Sequence, residues 1–296
     1  MGLGLPKSVL VEPQLFVVRA IDAQQHLEKY YQRYYINMDR QQFDRWLLSM
    51  VPQGVKIRLG CSFRSYETRK NGFKLNLIEE NRPCAEYAKI LVAADGATSR
   101  VRKQAVPHHP FPKAYLAIQQ WLEADSQLPY FSTIFDPEVT DYYGWTIPKG
   151  NCLVIGAALH PRFRISAKFA LFKNRLRDFG FRFGKTIRRE SAFILRPAKT
   201  HQISTGKNGI VLLGEAAGWV SPSSAEGYSY AFESAMILAQ VLRRTPEQLQ
   251  TRFHQKTIHL TRKIFLKTLK AHFIYNPSLR NTVMRTGIRS MKVYRS

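Results

Sequence analysis

The 296-residue sequence is poor in acidic residues and in cysteine. It contains 21 Asp and Glu against 45 Lys and Arg, and its three cysteines, Cys61, Cys84 and Cys152, lie far apart. Without a CxxC pair or Cys/His spacing, neither a disulfide framework nor a zinc site is predicted, and this cysteine usage fits a reducing cytoplasm. The histidines show no metal-ligand spacing, and no Ser/His/Asp or Cys/His arrangement indicates nucleophilic catalysis. We therefore expect no bound metal.

Long apolar runs are also absent. No stretch of about 18 apolar residues occurs, so the sequence predicts no membrane-spanning helix. The first residues lack a basic segment followed by a continuous apolar stretch, so we expect no secretory signal.

The sequence is rich in apolar side chains and in positive charge. Hydrophobic residues make up 45% of the chain and aromatic residues 12%, so a packed core is expected. The length suits roughly two domains. The net charge of +24 favours polyanions such as nucleic acid, anionic lipid or acidic substrates. Because no recognition fold or RNP-like motif accompanies the charge, we do not expect specific nucleic-acid binding.

Short apolar strands alternate with helical patterns, which predicts an α/β fold. Helices are predicted at residues 39–50, 165–181 and 225–242. Strands are predicted at residues 55–59, 63–68, 73–77, 87–94 and 209–213. Asn71-Gly72 predicts a hairpin turn. Longer aromatic strands at residues 113–158 indicate a second region inserted between two parts of the first.

The loop LVAADGATSRVR, residues 91–102, follows a predicted buried strand. Gly96 permits a tight turn after Asp95, and Ser99 is placed to cap the next helix. An ordinary strand–turn–helix junction would have the same features. This loop alone therefore leaves both a ligand site and a structural turn open.

A second loop, GEAAGWVSP at residues 214–222, follows the predicted strand 209–213 and precedes Glu226-Gly227 and a helix. Small residues here let the backbone approach a ligand, and a helix N-terminus favours an anion. The Glu215 carboxylate can accept hydrogen bonds from ligand hydroxyls. Alternatively, Glu215 merely caps the loop. The two loops together predict a ligand site more strongly than either does alone.

These motifs resemble those of the FAD-dependent hydroxylase and reductase superfamily. LVAADGATSRVR is similar to its Asp-Gly motif, and GIVLLGEAAGWVSP is similar to its second FAD motif, in which Gly-Asp contacts the ribityl chain. YYINMDRQQFDRWLLSM resembles the helix entry where an arginine, here Arg40, faces the cofactor. Within the superfamily the chain most resembles the geranylgeranyl reductase group. The matching signature is Tyr-x-Trp-x-x-Pro-Lys-Gly, here Tyr143, Trp145, Pro148, Lys149 and Gly150.

The resemblance covers nearly the whole chain and implies its architecture and cofactor. It implies a mixed α/β fold with a Rossmann-like FAD-binding domain of the glutathione-reductase/hydroxylase type at residues 1–110 and 200–245. An antiparallel-sheet substrate domain would occupy residues 111–199, and a basic helical segment residues 246–296. The implied FAD-binding residues are Arg40, Asp95, Gly96, Gly214, Glu215, Ala216, Ala217, Glu226 and Gly227.

Two departures from the family pattern bear on FAD binding. Gly214-Glu215 replaces Gly-Asp, so the added methylene keeps the charge but shifts the contact. The family's opening strand, GxGxxG turn and helix are not found, since Gly2 and Gly4 do not form that fingerprint. From this we expect that the first βαβ unit is lacking through a truncation or a mis-set start. We also expect weak FAD binding and a tendency to aggregate.

On the substrate side, the resemblance implies that the signature residues lie near the flavin ring. Tyr143 and Trp145 would line a pocket for an apolar polyprenyl chain, or would simply be packing aromatics of the sheet. Tyr115, Gln119, Gln120 and Trp121, on a neighbouring predicted strand, could face the same cavity.

The C-terminal segment has no acidic residue after Glu247 and carries eleven basic residues between 252 and 295. Interleaved apolar residues predict a basic amphipathic helix that binds an anionic membrane surface. A solvated face on a helix packed against the core is the alternative. We expect a cytoplasmic protein that is peripheral at the inner face of the membrane.

The resemblance implies an FAD-dependent oxidoreductase that reduces carbon–carbon double bonds of an isoprenoid or lipid by hydride transfer. NAD(P)H or a reduced carrier protein would supply the electrons. Two alternatives stay open: an FAD-dependent monooxygenase, and a non-catalytic remnant or basic membrane-associated protein. The catalytic residues are not predicted.

Overall fold

The computed structural model describes residues 4–124, 129–162 and 164–292. The chain forms two compact units. Unit 1 comprises Met1–Lys56, Tyr115–Ala192 and Ile274–Ser296, and unit 2 comprises Ile57–Ala114 and Phe193–Phe273.

The described residues form twelve strands and seven α-helices. The strands are β1 (Leu15–Asp22), β2 (Leu27–Tyr35), β3 (Cys61–Arg69), β4 (Gly72–Glu79), β5 (Arg82–Ala88), β6 (Leu91–Ala93), β7 (Lys113–Glu123), β8 (Tyr130–Phe135), β9 (Gly144–Lys149), β10 (Cys152–Leu159), β11 (Thr186–Arg196) and β12 (Ile210–Leu212). The helices are α1 (Arg40–Ser49), α2 (Arg100–Ala105), α3 (Ile165–Asp178), α4 (Gly214–Ala217), α5 (Tyr228–Arg244), α6 (Leu249–Tyr275) and α7 (Pro277–Thr286).

Most of the predicted elements are confirmed, with shifted ends. The helices predicted at 39–50, 165–181 and 225–242 are α1, α3 and α5, and the Asn71-Gly72 hairpin joins β3 to β4. The run at 87–94 is wrong as a single strand, because β5 ends at Ala88 and β6 begins at Leu91.

The strand predicted at 55–59 is wrong. Residues 55–59 are irregular, and Val55, Ile57 and Leu59 are 53%, 45% and 77% exposed. Alternating apolar residues form a strand only where one face can be buried, and these side chains have no such face.

Unit 1 is built on a seven-stranded sheet in the order β11-β7-β10-β9-β8-β1-β2. β1 pairs antiparallel with β2 and parallel with β8, so the sheet is not purely antiparallel. Through β1 and β2, residues 1–56 belong to the same compact unit as residues 115–192. Phe169, Phe172 and Leu176 of α3 are buried in the core of this unit.

Unit 2 contains a parallel pair, β12 and β6, and a separate antiparallel sheet, β3-β4-β5. Its largest core joins Phe73 of β4 and Val211 of β12 to buried residues of α5 and α6, including Leu238 and Phe253. The C-terminal segment is helical as predicted, but it is shared: α6 belongs mainly to unit 2 and α7 to unit 1. None of the described helices is long and apolar enough to cross a membrane.

Candidate functional site

The two motif loops of unit 2 leave the same edge of one sheet. β6 and β12 run parallel with Ala93 beside Leu212, and Leu213 N donates to Ala93 O at 2.9 Å. Residues 94–99 and 213–218 therefore both follow the carboxyl ends of neighbouring parallel strands. In open α/β sheets, ligands bind in the crevice outside these strand ends.

In the first loop, Asp95 and Ser99 cap the start of α2. Asp95 Oδ2 accepts from Arg100 N at 2.9 Å and from Val101 N at 3.4 Å. Ser99 Oγ accepts from Arg102 N at 2.9 Å, which confirms the predicted cap. Gly96 has φ +70°, and a Cβ added there would meet no atom within 4 Å. The loop is therefore held by its own helix and leaves open space in front of Gly96.

Arg102, which the sequence reasoning did not assign to the site, joins the two loops. It is fully buried. Its Nη1 donates to Ala216 O at 3.2 Å, and its Nη2 donates to Gln202 O at 2.6 Å and Pro110 O at 3.1 Å. Burial lowers the pKa of Arg102 to about 10. The only signal for Arg102 was its place in the basic end of the first motif.

In the second loop, one carboxylate oxygen of Glu215 forms a hydrogen bond with the backbone of β11. Glu215 Oε1 accepts from Leu195 N at 2.6 Å, and burial raises the pKa of this carboxyl above its ordinary value although that hydrogen bond lowers it. Gly214 has φ +48°, and an added Cβ would lie 3.1 Å from Ala231 Cβ. Gly214 therefore allows α4 to approach α5 closely. Ala216 and Ala217 are completely buried.

Glu226 and Gly227 lie at the N-terminus of α5, and Gly227 is its N-cap residue. Glu226 Oε1 accepts from Ser229 N at 3.3 Å, and Oε2 pairs with Lys267 Nζ at 3.0 Å. Burial acts to raise the pKa of Glu226, but the hydrogen bonds from Ser229 and Lys267 outweigh it and hold this pKa below its ordinary value. Glu226 is therefore ionised at neutral pH, and its ion pair with Lys267 links the N-terminus of α5 to α6.

Arg40 and the Tyr143–Gly150 segment belong to unit 1. Arg40 is the first residue of α1, whose N-cap is Asp39. It lines an open pocket of about 570 Å³ together with Gln41, Asp44, Arg45, Leu48 and Arg188. Arg40, Arg45 and Arg188 make this pocket basic.

Trp145 lies on a half-buried face of the seven-stranded sheet. On β9, Trp145 is paired with Thr133 of β8 and with Gly156 of β10, and Gly156 is in turn paired with Gln119 of β7. These four positions therefore share one face of the sheet. Trp145 Nε1 donates to Gln119 Oε1 at 3.1 Å. A Cβ added at Gly156 would lie 2.2 Å from Trp145 Cε2, so the indole covers this glycine.

Tyr143 and the weaker substrate candidates have different surroundings. Tyr143 is buried next to Trp145, with ring centroids 5.5 Å apart, and burial raises its pKa. Trp121 and Gln119 share the face of Trp145. The prediction for Gln120 is wrong, because residue 120 alternates to the opposite face, where its Oε1 lies 3.4 Å from Lys173 Nζ of α3. Tyr115 is fully buried and stacks on Tyr142 at 5.1 Å.

The Pro-Lys-Gly part of the signature binds an N-terminal segment of unit 1. Pro148 O accepts from Asn37 Nδ2 at 2.7 Å, and Gly150 N donates to Glu12 O at 2.7 Å. Lys149 Nζ donates to Met38 O. Burial lowers the pKa of Lys149, while Asp39 acts in the opposite direction. These contacts give the turn a structural role within unit 1.

Solved structures of flavoproteins share this fold. A geranylgeranyl bacteriochlorophyll reductase-like protein of Thermoplasma acidophilum superposes with a TM-score of 0.82 at 18% identity, covering 98% of this chain and 78% of that one. A Klebsiella pneumoniae HpxO variant complexed with FAD superposes with a TM-score of 0.65 at 14% identity, covering 93% and 79% of the two chains. The predicted mixed α/β fold, matching that of FAD-dependent oxidoreductases, is confirmed.

No protein-family model matches the sequence. Among curated proteins, "Protein CbrA" of Escherichia coli O6:H1 (strain CFT073) is 37% identical over 287 residues, covering 97% of this chain and 78% of that protein. Identity of this extent over nearly the whole chain shows common descent, and the chain therefore belongs to the CbrA family.

Proposed function

We propose that this protein is an FAD-dependent oxidoreductase that reduces carbon–carbon double bonds of an isoprenoid or similar lipid. The observation that carries the proposal is the meeting of the Asp95-Gly96 and Gly214-Glu215 loops at the carboxyl edge of β6 and β12. Arg102 Nη1 also lies 3.2 Å from Ala216 O and so links the two loops, which supports one shared site.

The residues at this edge fit a dinucleotide. The space in front of Gly96 is open, and Ala216 and Ala217 carry only methyl side chains, which are buried within the protein. The 17-residue helix α5 starts beside the second loop and favours a negatively charged group there. Asp95 and Glu215 would accept hydrogen bonds from ligand hydroxyls. FAD, once reduced by the electron donor, would supply the hydride, and the protein would bind and orient the reactants.

The half-buried face of the sheet in unit 1 suits an apolar substrate. Trp145 and Trp121 present aromatic surface there, and Gln119 fixes the Trp145 indole through its hydrogen bond. An extended apolar chain would gain from contact with such a surface. NAD(P)H or a reduced carrier protein remains the proposed source of electrons.

The test compares wild type with Asp95→Asn in an FAD titration followed by flavin fluorescence. Asn keeps an oxygen for capping α2 but loses the charge, so we expect an unchanged circular dichroism spectrum and a weaker FAD affinity. Asp178→Asn, at an exposed position of unit 1 outside the Arg40 pocket, serves as control and should leave the affinity unchanged. Equal affinities in all three proteins would contradict the assignment of this edge.

The reaction is tested separately with chemically reduced FAD and polyprenyl lipids under argon. We expect loss of double bonds, detected by mass spectrometry. In a parallel reaction in air, NAD(P)H-dependent oxygen consumption with oxygen incorporated into product would instead identify a monooxygenase. FAD binding without either reaction would rule out the proposed substrate class.

A further inference from the structure

We propose that the outer stripe of α6 docks on the surface of an anionic lipid bilayer. We define the outer stripe as five large apolar side chains of unit 2: Ile258, Phe265, Leu266, Leu269 and Phe273. They are 46%, 52%, 64%, 50% and 53% exposed, respectively. This proposal does not depend on flavin chemistry or on the substrate.

The outer stripe lies roughly opposite the face by which α6 packs in its unit. The buried face consists of Phe253, Thr257, Leu260, Ile264 and Ala271. At 3.6 residues per turn, positions 258, 265, 269 and 273 fall on one side and positions 253, 260, 264 and 271 on the other. A helix that only packed in this core would need apolar residues at the buried positions alone. A solvated outer face on a core-packed helix does not by itself account for five large apolar side chains on that face.

The charges next to the outer stripe are all positive. α6 carries Arg252, Lys256, Arg262, Lys263, Lys267 and Lys270 and no acidic residue. Lys263 and Lys267 pair with Glu233 and Glu226 of the same unit. Lys256 and Arg262 form no ion pair among the described residues. By helical position Arg262 lies within the outer stripe, whereas Lys256 lies nearer the buried face. Their charge is therefore available to an external anion.

A bilayer with anionic headgroups uses both features together. Phe and Leu side chains can enter the boundary between headgroups and acyl chains while flanking Lys and Arg side chains contact phosphates. A nucleic acid would leave the apolar side chains in water. A second copy of the chain would bring together two molecules of net charge +24, which repel each other.

The first test is flotation of the full chain with vesicles, which separates lipid-bound protein from aggregates. Binding is expected to phosphatidylcholine vesicles containing phosphatidylglycerol, to weaken with added salt, and to be far lower with phosphatidylcholine alone. Phe265→Ser/Leu266→Ser should lower the partition coefficient at least about tenfold. Arg262→Gln, which removes the charge within the outer stripe, should lower it about fivefold.

Matched controls lie in the same unit but outside α6. Leu59→Ser changes a side chain that is 77% exposed, and Lys70→Gln changes an exposed charge in the β3–β4 turn; neither should alter binding. Circular dichroism of each variant should match wild type because no core residue is changed. Binding that is insensitive to headgroup charge, or unchanged in Phe265→Ser/Leu266→Ser, would overturn the proposal.

A second measurement locates the contact. Phe265→Trp should be quenched by lipids brominated on their acyl chains, whereas Leu59→Trp should not. If sedimentation instead shows a wild-type dimer that Phe265→Ser/Leu266→Ser dissociates, the outer stripe is a contact between copies of the chain and the membrane proposal fails.

Discussion

At the scale of single residues, burial of the Glu215 carboxylate affects the stability of the folded protein. This carboxylate accepts from Leu195 N at 2.6 Å, yet burial raises its pKa above the ordinary value of 4.5. The folded state therefore binds a proton more tightly than the unfolded chain does. This contribution to stability is complete below the unfolded pKa and is lost as the pH rises through the folded pKa.

We predict that Glu215→Gln is more stable than wild type at neutral pH. Gln keeps an oxygen for Leu195 N and has no charge to bury. The advantage should disappear below about pH 4, where the glutamic acid is protonated in both states. Urea unfolding across this range measures it. The exposed Glu247→Gln should show no such pH-dependent difference, and equal stability of Glu215→Gln and wild type at pH 7 would contradict the interpretation.

The contacts of the Arg102 side chain could not be predicted from the sequence motif. The sequence places Arg102 only near the end of the first loop. Its side chain donates to the carbonyls of Pro110, Gln202 and Ala216 and stacks on Phe111 at 4.4 Å. Gln202 and Ala216 lie 100 and 114 residues further along the chain, so only the folded unit identifies Arg102 as the connection between the loops.

At the scale of elements, an aromatic ring of β9 packs directly against a glycine of β10. Trp145 covers Gly156, and Phe172 of α3 covers Gly144 on the opposite face, where an added Cβ would lie 2.3 Å from Phe172 Cζ. The sequence predicted strands here but not which ring required which glycine.

We predict that Gly156→Ala destabilises the protein by about 1–3 kcal/mol, because the new methyl group would overlap the Trp145 indole. Urea unfolding measures the change. The cost should fall sharply in a Trp145→Ala background, which removes the overlap. Gly54→Ala, where an added Cβ meets no atom within 4 Å, is the control and should be close to neutral.

At the scale of the whole molecule, each unit is assembled from separate stretches of chain. In unit 1, α7 is fastened to β1 by a buried ion pair, since Arg280 Nε donates to Asp22 Oδ2 at 2.7 Å. These side chains are 6% and 0% exposed. Arg280 also stacks on Phe135 of β8 at 4.9 Å. The pair joins the C-terminal helix to strands near the start of the chain.

We predict that Arg280→Met destabilises unit 1 by about 3–5 kcal/mol, because it leaves the Asp22 carboxylate buried without its partner. Thermal unfolding and protease sensitivity of α7 would report the loss. Arg285→Met on the same helix is the control, since Arg285 is exposed and, within the described part of the chain, donates to Asn281 on the preceding turn. Equal melting temperatures for the two variants would show that the ion pair does not stabilise the unit.

Local sequence patterns were sufficient to predict many of the helices and strands of this fold. Helical periodicity located α1, α3 and α5, and Asn71-Gly72 located a hairpin, because these features depend on neighbouring residues. The same reasoning failed at residues 55–59, where alternation had no face to bury. It also did not show that β1 pairs with β8, because strand pairing between distant segments is not encoded in a local pattern.

By itself the sequence determined the resemblance to FAD-dependent oxidoreductases, through short contiguous loops whose residue types carry the chemistry. It also determined the positive charge and the amphipathic character of the C-terminal segment. Only the tertiary structure decided that both loops meet at one sheet edge, that Glu215 contacts Leu195, and that α6 has an exposed apolar face besides its buried one. These depend on contacts between residues far apart in the chain, which no local periodicity encodes.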